Sequence, residues 1–367
     1  MLLAGVMTGT SLDAIDVAIC DINSEGDRHT VTLVYFLSAP YPKDLEESVK
    51  GALAGTASVK DLAELPFTIA KAYCNTILSA QKLAGVTVDA VAIHGQTLWH
   101  EPPTSTWQAA SGPALSALLR LPVVHDFRTA DIALGGQGAP LVPIFDHAFL
   151  GGTLNRVALN IGGMANITIL PKHCSVNQVR AFDTGPGNVL INAVCRLSYG
   201  KQYDSGGRIA RAGAVIPHAL EVLQQHPYFK LAPPKSTGRE TFGDGMAEEL
   251  WRRYAHPSAP SEDLVTTLTE VSAWSIAHHI SQYMPDCEEV VVSGGGAMNT
   301  YLLERIALHL PGIAITTSAT YGIGIQAKEA MAFAYLGYRT LHHLHGNIPN
   351  VTGASRSTVL GSVCSAI

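Results

Sequence analysis

Residues 2–21 of the chain are LLAGVMTGTSLDAIDVAICD. Two apolar runs, each of strand length, flank a turn of glycine, threonine, serine and aspartate. The stretch therefore predicts a β-hairpin with strands over 2–7 and 15–21 and a polar turn over 8–14. A further apolar run over 31–37 extends the hairpin into a β-meander.

The same pattern returns in the second half of the chain. Residues 157–170 are VALNIGGMANITIL, so a glycine turn again separates two apolar strands, about 150 residues after the first copy. A repeated hairpin, each copy followed by helices, predicts a duplicated core. It is what two facing lobes that clamp one ligand would need.

Length and composition agree with two lobes. The chain has 367 residues, 47% hydrophobic and 15% charged, with 34 glycines, which is typical of a well-buried α/β enzyme of two domains. A net charge of −6 argues against nucleic acid as a partner, so local backbone geometry must supply any phosphate site. The six cysteines show no paired spacing, and no apolar run reaches membrane-spanning length. We therefore expect a cytoplasmic protein with free thiols and no membrane partner.

The other periodic segments alternate in type. An amphipathic helix over 62–78 leads to a buried strand over 88–93, which ends in His94-Gly95-Gln96-Thr97. A strand is predicted over 289–293, and helices are predicted over 213–226, 243–255, 262–283 and 324–341. The segments Pro227–Gly238 and His256–Ser261 are interpreted as surface connections.

The turn Gly9–Asp13 is the first candidate site. In a tight turn between two strands, backbone N–H groups and hydroxyls converge as in an anion nest, and phosphate is the natural ligand. The alternative is an ordinary hairpin turn. Asp13 and Asp16 could hold a magnesium ion through water, because that cation keeps most of its hydration shell.

Asp183 is the candidate base. It ends a predicted strand, and two glycines lead from it to a helix that begins near Asn188. A carboxylate there can take the proton of a nucleophile while N–H groups of the helix steady phosphate oxygens. The alternative is a turn residue that caps the helix.

Two further features are consistent with a nucleotide and an acidic ligand. The strand before Gly294-Gly295-Gly296 would let adenine or ribose lie against bare backbone, although a packing turn explains the same glycines. Arg128 could bind a carboxylate with two hydrogen bonds, or it is a surface arginine. Neither a dinucleotide-binding nor a Walker glycine motif is present.

The chain resembles the anhydro-N-acetylmuramic acid kinases, a family of the sugar kinase, heat-shock chaperone and actin superfamily. The resemblance runs nearly end to end. It rests on six ordered blocks, namely Gly5–Asp13, His94–Thr97, Asp126–Arg128 with Gly135–Pro143, Asn160–Asn166, Asp183–Asn188 and Val351–Ala354.

The resemblance implies an actin-like, ribonuclease H-like α/β fold of two lobes with a cleft between them. Lobe I would span 1–135, completed by 340–367, and lobe II would span 136–339. The implied reaction opens the 1,6-anhydro bond of 1,6-anhydro-N-acetylmuramic acid with a water that Asp183 activates. The γ-phosphoryl group of ATP passes to O6, giving N-acetylmuramic acid 6-phosphate and ADP in peptidoglycan recycling.

The resemblance also implies a set of binding residues. The sugar contacts would be Gln96, Thr97, Arg128 and Glu329, and the active form would be a homodimer that uses ATP and Mg²⁺. Residues expected around the ATP phosphates are Gly9, Thr10, Ser11, Leu12, Asp13, Ala14, Ile15 and Asp16. The remaining cofactor-binding residues expected in lobe II are Gly162, Gly163, Asn166, Gly185, Gly187, Asn188, Gly294, Gly295, Gly296 and Asn299.

The chain departs from the family pattern in three places. Ala14 stands in place of a glycine, Thr8 in place of a serine, and Ile325-Gln326 in place of Pro-Asp. Ala14 would crowd the phosphate turn if its φ were positive. Two alternatives to the kinase therefore stay open, a catalytically weakened relative that senses nucleotides and a kinase for a different amino sugar.

Overall fold

The computed structural model describes residues 1–9, 12, 14–26, 28–255 and 261–365. Three residues of the predicted phosphate turn, Thr10, Ser11 and Asp13, lie outside this part of the chain, as do residues 256–260 of the second predicted surface connection. Within the described ranges, no helix combines the length and apolar character that crossing a bilayer requires.

The described chain alternates strands with helices. The strands are β1 Leu2–Thr8, β2 Ala14–Glu25, β3 Arg28–Pro40, β4 Ala90–Ile93, β5 Gln96–Glu101, β6 Ser105–Ala109, β7 Val123–His125, β8 Arg156–Ile161, β9 Met164–Leu170, β10 Arg180–Pro186, β11 Glu289–Ser293, β12 Ala314–Thr317 and β13 Ser362–Cys364. The helices are α1 Lys43–Leu53, α2 Val59–Ala84, α3 Gly112–Leu119, α4 Thr129–Ala133, α5 Pro143–Leu150, α6 Val189–Tyr199, α7 Arg208–Ala212, α8 Pro217–Gln224, α9 Asp244–Tyr254, α10 Ser261–Tyr283, α11 Thr300–His309, α12 Lys328–Leu341 and α13 Pro349–Thr352.

The chain divides into two compact units. The first comprises Met1–Phe149 and Gly322–Ile367, and the second comprises Leu150–Tyr321. Within the first unit, the rings of Phe145 and Phe149 lie 6.2 and 5.0 Å from the ring of Tyr335 on α12. The sequence prediction assigned residues 136–149 and 322–339 to lobe II, whereas their packing groups them with the first unit.

The first unit contains a mixed sheet with the strand order β13-β7-β4-β1-β2-β3 in the described part of the chain. Strands β1, β2 and β3 pair in antiparallel fashion, which confirms the predicted meander. Strands β1, β4 and β7 run parallel to one another, so their carboxyl ends meet at one edge. Polar residues that follow these strands are therefore brought together.

The second unit repeats this arrangement. Its sheet has the order β10-β9-β8-β11-β12, in which β8, β9 and β10 pair antiparallel while β8, β11 and β12 run parallel. This order, three meander strands followed by two strands parallel to the last of them, matches β3-β2-β1-β4-β7 in the first unit. The predicted actin-like α/β fold with a duplicated core is confirmed, and the cleft stays a prediction.

Several predicted boundaries shift for local reasons. The helix predicted from residue 213 begins at Pro217, where proline suits the first helical position. The helix after the triple glycine begins at Thr300, where the side chain of Asn299 accepts a hydrogen bond from the backbone N–H of Leu302 at 3.0 Å. Ala14 lies in β2 opposite Pro40 and has no positive φ, so the expected crowding does not arise.

The central helix α12 packs directly on the first strand. A Cβ atom at Gly5 would overlap the carbonyl oxygen of Ala330, and one at Gly337 would overlap the side chain of Ala92. Glycine at these two positions allows the helix backbone to approach the sheet. The first turn of the helix carries Lys328 and Glu329, and the charge of Glu329 acts on Arg128, which follows β7.

A buried carboxylate links the sequence motifs at 135–143 and 351–354. Asp131 is fully buried and accepts hydrogen bonds from the backbone N–H of Gly138, the amide of Asn347 and the hydroxyl of Thr352, at 2.7–2.8 Å. The backbone N–H of Gln137 also donates to the carbonyl of Thr352 at 2.7 Å. The motifs at 135–143 and 351–354 therefore form one structural junction within the first unit.

Asp131→Asn tests this junction. The substitution places an amide N–H₂ among three donors, so we expect a loss of about 1–3 kcal/mol in the free energy of unfolding. Guanidinium denaturation measures the change. Asp44→Asn, at an exposed position of α1, is the control and should stay within about 0.5 kcal/mol of the parent. Equal effects of the two substitutions would contradict the structural role of Asp131.

Candidate active site

The candidate site of the first unit lies where β1, β4 and β7 end. Thr8 closes β1, and its hydroxyl contacts the hydroxyl of Tyr73 at 2.7 Å and donates to the carbonyl of Gly95 at 3.4 Å. His94 and Gly95 follow β4, and Arg128 follows β7 three residues after His125. The fold thus brings together the sequence-predicted residues of this edge.

The half-buried Arg128 forms a pair with the buried His94. The guanidinium donates from Nε and Nη2 to Nε2 of His94 at 3.0 and 2.8 Å. The Nδ1 atom of His94 lies 2.8 Å from the carbonyl oxygen of Gly95, so Nδ1 carries the proton and Nε2 accepts. Burial and the charge of Arg128 hold the pKa of His94 well below its usual range. The imidazole is therefore neutral and orients the arginine.

The arginine is available for an anion, although in a restricted way. Burial lowers the pKa of Arg128 to about 10, and the opposing effect of Glu329 is smaller. Because Nε and Nη2 both point at His94, a ligand carboxylate that used this edge of the guanidinium would have to displace the imidazole. The surface-arginine alternative does not hold, because the side chain is half-buried.

Glu329 lies in the first turn of α12 and is subject to three charges. Burial raises its pKa, Lys328 and Arg128 lower it, and Asp16 raises it. Lys328 itself is buried in an ion pair with Asp146 at 2.8 Å. The carboxylates of Asp16 and Glu329 are therefore close enough to repel each other while Arg128 faces Glu329.

Gln96 carries the clearest sign of a ligand position in this unit. The residue is fully buried at the start of β5, and neither polar atom of its amide has a hydrogen-bond partner in the described part of the chain. A buried amide without partners costs free energy, and such groups usually serve a ligand or an ordered water. The next residue, Thr97, is half-buried and pairs with Gln108 on β6.

The described residues of the phosphate turn show how it is held. Gly9 O accepts from the backbone N–H of Leu12 at 3.3 Å, and Leu12 is buried with a φ of 56°. Ile15 is buried in the core and pairs with Thr8 across the hairpin. The side chains of Leu12 and Ile15 are therefore buried, so only the backbone of these two residues is left to contact a phosphate.

In the second unit, Asp183 lies within β10 and not at its end. The strand continues through Pro186, with a bulge between Asp183 and Gly185. Gly185 has a φ of 145°, and a Cβ there would lie 2.7 Å from the ring of Phe229. The bulge interrupts the strand pairing next to the carboxylate, which is a common device near functional side chains.

The Asp183 carboxylate is largely buried, and a hydrogen bond and a nearby cation offset part of the cost of burying its charge. Its Oδ2 accepts a hydrogen bond from the backbone N–H of Thr237 at 2.9 Å. Burial raises its pKa to about 6, the Thr237 bond lowers it, Glu240 raises it and Lys235 lowers it. A carboxylate with such a pKa is charged at neutral pH yet basic enough to accept a proton.

The segment that surrounds Asp183 was missed by the sequence prediction. Pro227–Gly238 was interpreted as a surface connection, and this interpretation is wrong, because Tyr228 and Phe229 are buried and both halves of the segment contact Asp183. The carbonyl of Lys235 accepts from the backbone N–H of Asp183 at 3.2 Å, and the hydroxyl of Tyr228 donates to the Asp183 carbonyl at 2.7 Å. The hydroxyl of Thr237 is buried without a hydrogen-bond partner in the described residues. The segment lacks any periodicity, so only its Lys-Ser-Thr-Gly run could have signalled a site.

The backbone N–H groups at the start of α6 already have backbone hydrogen-bond acceptors. The N–H groups of Gly187, Asn188 and Val189 donate to the carbonyls of Gly162 and Gly163 at 2.8–3.0 Å. The expectation that these N–H groups steady phosphate oxygens is therefore not supported at these three positions. A Cβ at Gly187 would lie 2.6 Å from Gly162 O, so these glycines join the β8–β9 turn to the helix.

A polar row crosses the same sheet. Asp183 pairs with Asn166, Asn166 pairs with Asn160, and Asn160 is in register with Ser293. Residues directly opposite on neighbouring strands present their side chains on one face, so the four polar groups line one side of the sheet. Asn160 and Ser293 were not among the predicted site residues, although each lies at or next to the end of its strand, just before a glycine turn.

The triple glycine lies at the end of this row. Gly294 has a φ of 80°, and a Cβ there would lie 2.5 Å from the Asn160 side chain, while one at Gly296 would overlap Ile161. The close approach to β8 accounts for both glycines, whereas a Cβ at Gly295 would meet nothing. Packing therefore explains two of the three glycines, as the packing-turn alternative predicted. ATP binding at this turn stays a prediction.

Metal ligands are few among the described side chains. No group of three or more His, Cys, Asp and Glu residues that could enclose a metal ion occurs in the described ranges. Magnesium held through water by one or two carboxylates requires no such group. Of the two predicted residues, Asp13 lies outside the described residues and Asp16 faces Glu329.

The family model and the curated relatives agree with each other along nearly the whole chain. A family model described as anhydro-N-acetylmuramic acid kinase matches residues 1–366. The anhydro-N-acetylmuramic acid kinase of Bacillus cereus strain AH820 is 38% identical over 379 residues, with 99% of each chain covered. The kinase of the same name from Bacillus thuringiensis subsp. konkukian strain 97-27 is 37% identical, with the same coverage. Among solved structures, a ROK family glucokinase from Streptomyces griseus in complex with glucose and AMPPNP is similar over 92% of this chain and 99% of that one, at 14% identity and a TM-score of 0.42.

Gln96→Met tests whether the buried amide is costly in the absence of a ligand. Methionine keeps the length of the side chain and removes two unpaired polar atoms, so we expect the free energy of unfolding to rise by about 1–3 kcal/mol. Thermal and guanidinium denaturation without ligand measure the change.

Gln81→Met is the matched control. The Gln81 amide oxygen accepts a hydrogen bond from the backbone N–H of Val88 at 2.9 Å, so the same substitution removes a formed bond and should destabilise. Opposite signs are expected for the two variants. Destabilisation by Gln96→Met would show that its amide is satisfied in the free protein.

Proposed function

Because this chain belongs to the family of anhydro-N-acetylmuramic acid kinases, it is an ATP-using sugar kinase, and we propose that it converts 1,6-anhydro-N-acetylmuramic acid into N-acetylmuramic acid 6-phosphate. The product enters the recycling of cell-wall peptidoglycan. The match over residues 1–366 and the Asp183 carboxylate are the observations that support this proposal.

The proposed reaction couples hydrolysis to phosphorylation. Water attacks C1 of the sugar, its oxygen forms the new bond to C1, and the C1–O6 bond breaks. The electron pair of that bond goes to O6, which takes the γ-phosphoryl group as ADP leaves. Asp183 accepts the proton that the attacking water releases.

The surroundings of Asp183 suit a general base. Burial favours proton acceptance, because it raises the pKa of the carboxyl to about 6. The Thr237 N–H holds Oδ2 in place, which fixes the direction of the carboxylate. We propose that the attacking water binds to this carboxylate, with the unpartnered Thr237 hydroxyl as a further hydrogen-bond partner.

We propose that four residues of the first unit bind the sugar. The unpartnered amide of Gln96 can bind a hydroxyl or amide group, and Thr97 lies next to it on β5. Arg128 suits the lactyl carboxylate, because an oriented guanidinium binds a carboxylate with two hydrogen bonds. Glu329 accepts hydrogen bonds from sugar hydroxyls, and burial raises the pKa of its carboxyl.

ATP would be bound by backbone more than by side chains. We propose that the turn Gly9–Asp16 holds the phosphates, that the glycine turns at 162–163 and 294–296 adjoin the nucleotide, and that Asn188 and Asn299 shape these turns. Magnesium, when bound through water to Asp13 and Asp16, would neutralise phosphate charge. The proximity of Asp16 and Glu329 suits a hard cation.

Relatives that carry the kinase name favour this reaction over a nucleotide sensor or a different amino sugar as substrate. An activity assay distinguishes the kinase from a nucleotide sensor, because a sensor would bind ATP without sugar-dependent turnover. The cytoplasmic location and the homodimer stay predictions, and sedimentation at several protein concentrations would test the second.

The turnover assay supplies the direct test. The protein incubated with ATP, Mg²⁺ and the anhydro sugar should give ADP and a sugar product heavier by one water and one phosphoryl group. Asp183→Asn should lower the rate about 10²- to 10⁴-fold while both ligands still bind. Mass spectrometry and ADP release measure the reaction. Absence of turnover with this sugar would contradict the proposal, and undiminished turnover by the variant would remove Asp183 from its role.

A pH profile tests the base independently. Only ionised Asp183 can accept the proton, and its pKa is raised to about 6, so activity is lost as the pH falls through that value. We expect kcat/KM for the sugar, at saturating ATP, to fall tenfold per pH unit below about pH 6. The residual activity of Asp183→Asn should lack this acidic limb. A parent profile that stays flat down to pH 4.5 would contradict the assignment.

A further inference from the structure

We propose that Lys235 is a positioning residue whose ammonium, anchored by His279 and Tyr228, keeps the Asp183 carboxylate ionised and oriented. The inference rests on the proposed function, because it deepens the role given to Asp183. The sequence prediction named neither Lys235 nor His279, and both come from the packing of the second unit.

The lysine is held at three points. Its Nζ donates to Nε2 of His279 at 2.7 Å and to the carbonyl oxygen of Tyr228 at 3.2 Å. The same ammonium lies 4.6 Å from the centre of the Tyr228 ring, within range of a cation–π interaction. A flexible surface lysine would have none of these restraints, so its charge here has a fixed location.

His279 is suited to accept this hydrogen bond. The residue is fully buried on α10, and its Nδ1 lies 2.6 Å from the carbonyl oxygen of Ser275. Nδ1 therefore carries the proton, which leaves a lone pair on Nε2 for Lys235. Burial lowers the pKa of His279 to about 4, so the ring is neutral near pH 6, where Asp183 changes charge.

The backbone ties the lysine to the carboxylate. The carbonyl of Lys235 accepts from the backbone N–H of Asp183, and two residues later the N–H of Thr237 donates to the Asp183 carboxylate. Tyr228, which binds Nζ through its carbonyl, also donates its hydroxyl to the carbonyl of Asp183. A shift of Lys235 would therefore move the groups that orient the base.

The charges around Asp183 come from a small set of groups. Glu240, two residues after the Pro227–Gly238 segment, opposes ionisation of Asp183, and Lys235 favours it. The Tyr228 phenol is kept neutral, because burial and the charge of Asp183 raise its pKa. The neighbouring strand β9 contributes the neutral Asn166. Among the groups with a described effect on Asp183, Lys235 is thus the one cation.

The lysine is charged throughout the range in which Asp183 titrates. Burial lowers the pKa of Lys235 to about 8, and Asp183 raises it. Asp183 changes charge near pH 6, two units lower. Asp183 is therefore already ionised when Lys235 loses its proton at higher pH. Lys235 is expected to affect only the acidic limb of the kcat/KM profile.

Lys235→Gln separates charge from packing. Its amide N–H₂ can still donate to His279 while the positive charge is gone, so we expect the acidic limb of kcat/KM to move to higher pH by about 0.5–1 unit. Lys235→Arg keeps the charge and should leave the limb within about 0.3 unit of the parent. Lys230→Met is the matched control, since Lys230 is an exposed lysine of the same segment and its loss should not move the limb.

Titration of the Asp183 carboxyl carbon by ¹³C NMR, assigned through Asp183→Asn, gives the same readout without turnover. An upward shift of the carboxyl titration in Lys235→Gln, absent in Lys230→Met, is the expected result. A uniformly lower rate with an unmoved limb and an unmoved titration would overturn the inference and leave Lys235 a packing residue. If the parent shows no sugar-dependent turnover, the proposed function fails, while the NMR titration still decides whether Lys235 controls Asp183.

Discussion

The alignment of parallel strands controls where chemistry can occur in this protein. In the first unit β1, β4 and β7 end at one edge, and the residues that follow them are Gly9, His94 and Asp126. Because backbone groups at such ends are no longer paired within the sheet, polar side chains and N–H groups collect there. The close packing of α12 on β1, which requires glycine at residue 5, brings Glu329 to the same edge.

Each unit places a cation beside a carboxylate by the same physical means. Arg128 donates to Nε2 of His94, and Lys235 donates to Nε2 of His279. In both histidines Nδ1 bonds to a backbone carbonyl, which fixes the tautomer. Burial keeps both rings neutral, so each can accept a hydrogen bond from a cation without repelling it.

The candidate residues of each unit carry free-energy costs that the rest of the fold offsets. In the described part of the chain, Gln96 in the first unit and Thr237 in the second bury polar atoms without hydrogen-bond partners, and Asp183 is charged in a position that burial disfavours. Junctions such as Asp131 with Asn347 and Thr352, where every described donor meets an acceptor, supply stability elsewhere. Unsatisfied polar groups that lie beside other candidate site residues are usual places for a ligand or an ordered water.

The sequence by itself determined the hairpins, the repeat and the identity of the polar residues at strand ends, because periodicity and turn residues are local properties. It also led to Asp183, Gln96 and Arg128, which follow or lie in strands with clear boundaries. Only the tertiary structure decided what surrounds them. His279 meets Lys235 across 44 residues, and Thr237 meets Asp183 across 54, through a segment without periodicity. Such contacts depend on how a non-repetitive loop packs on a finished sheet, and burial and the charge of neighbours, which set the pKa of Asp183, exist only once that packing is complete.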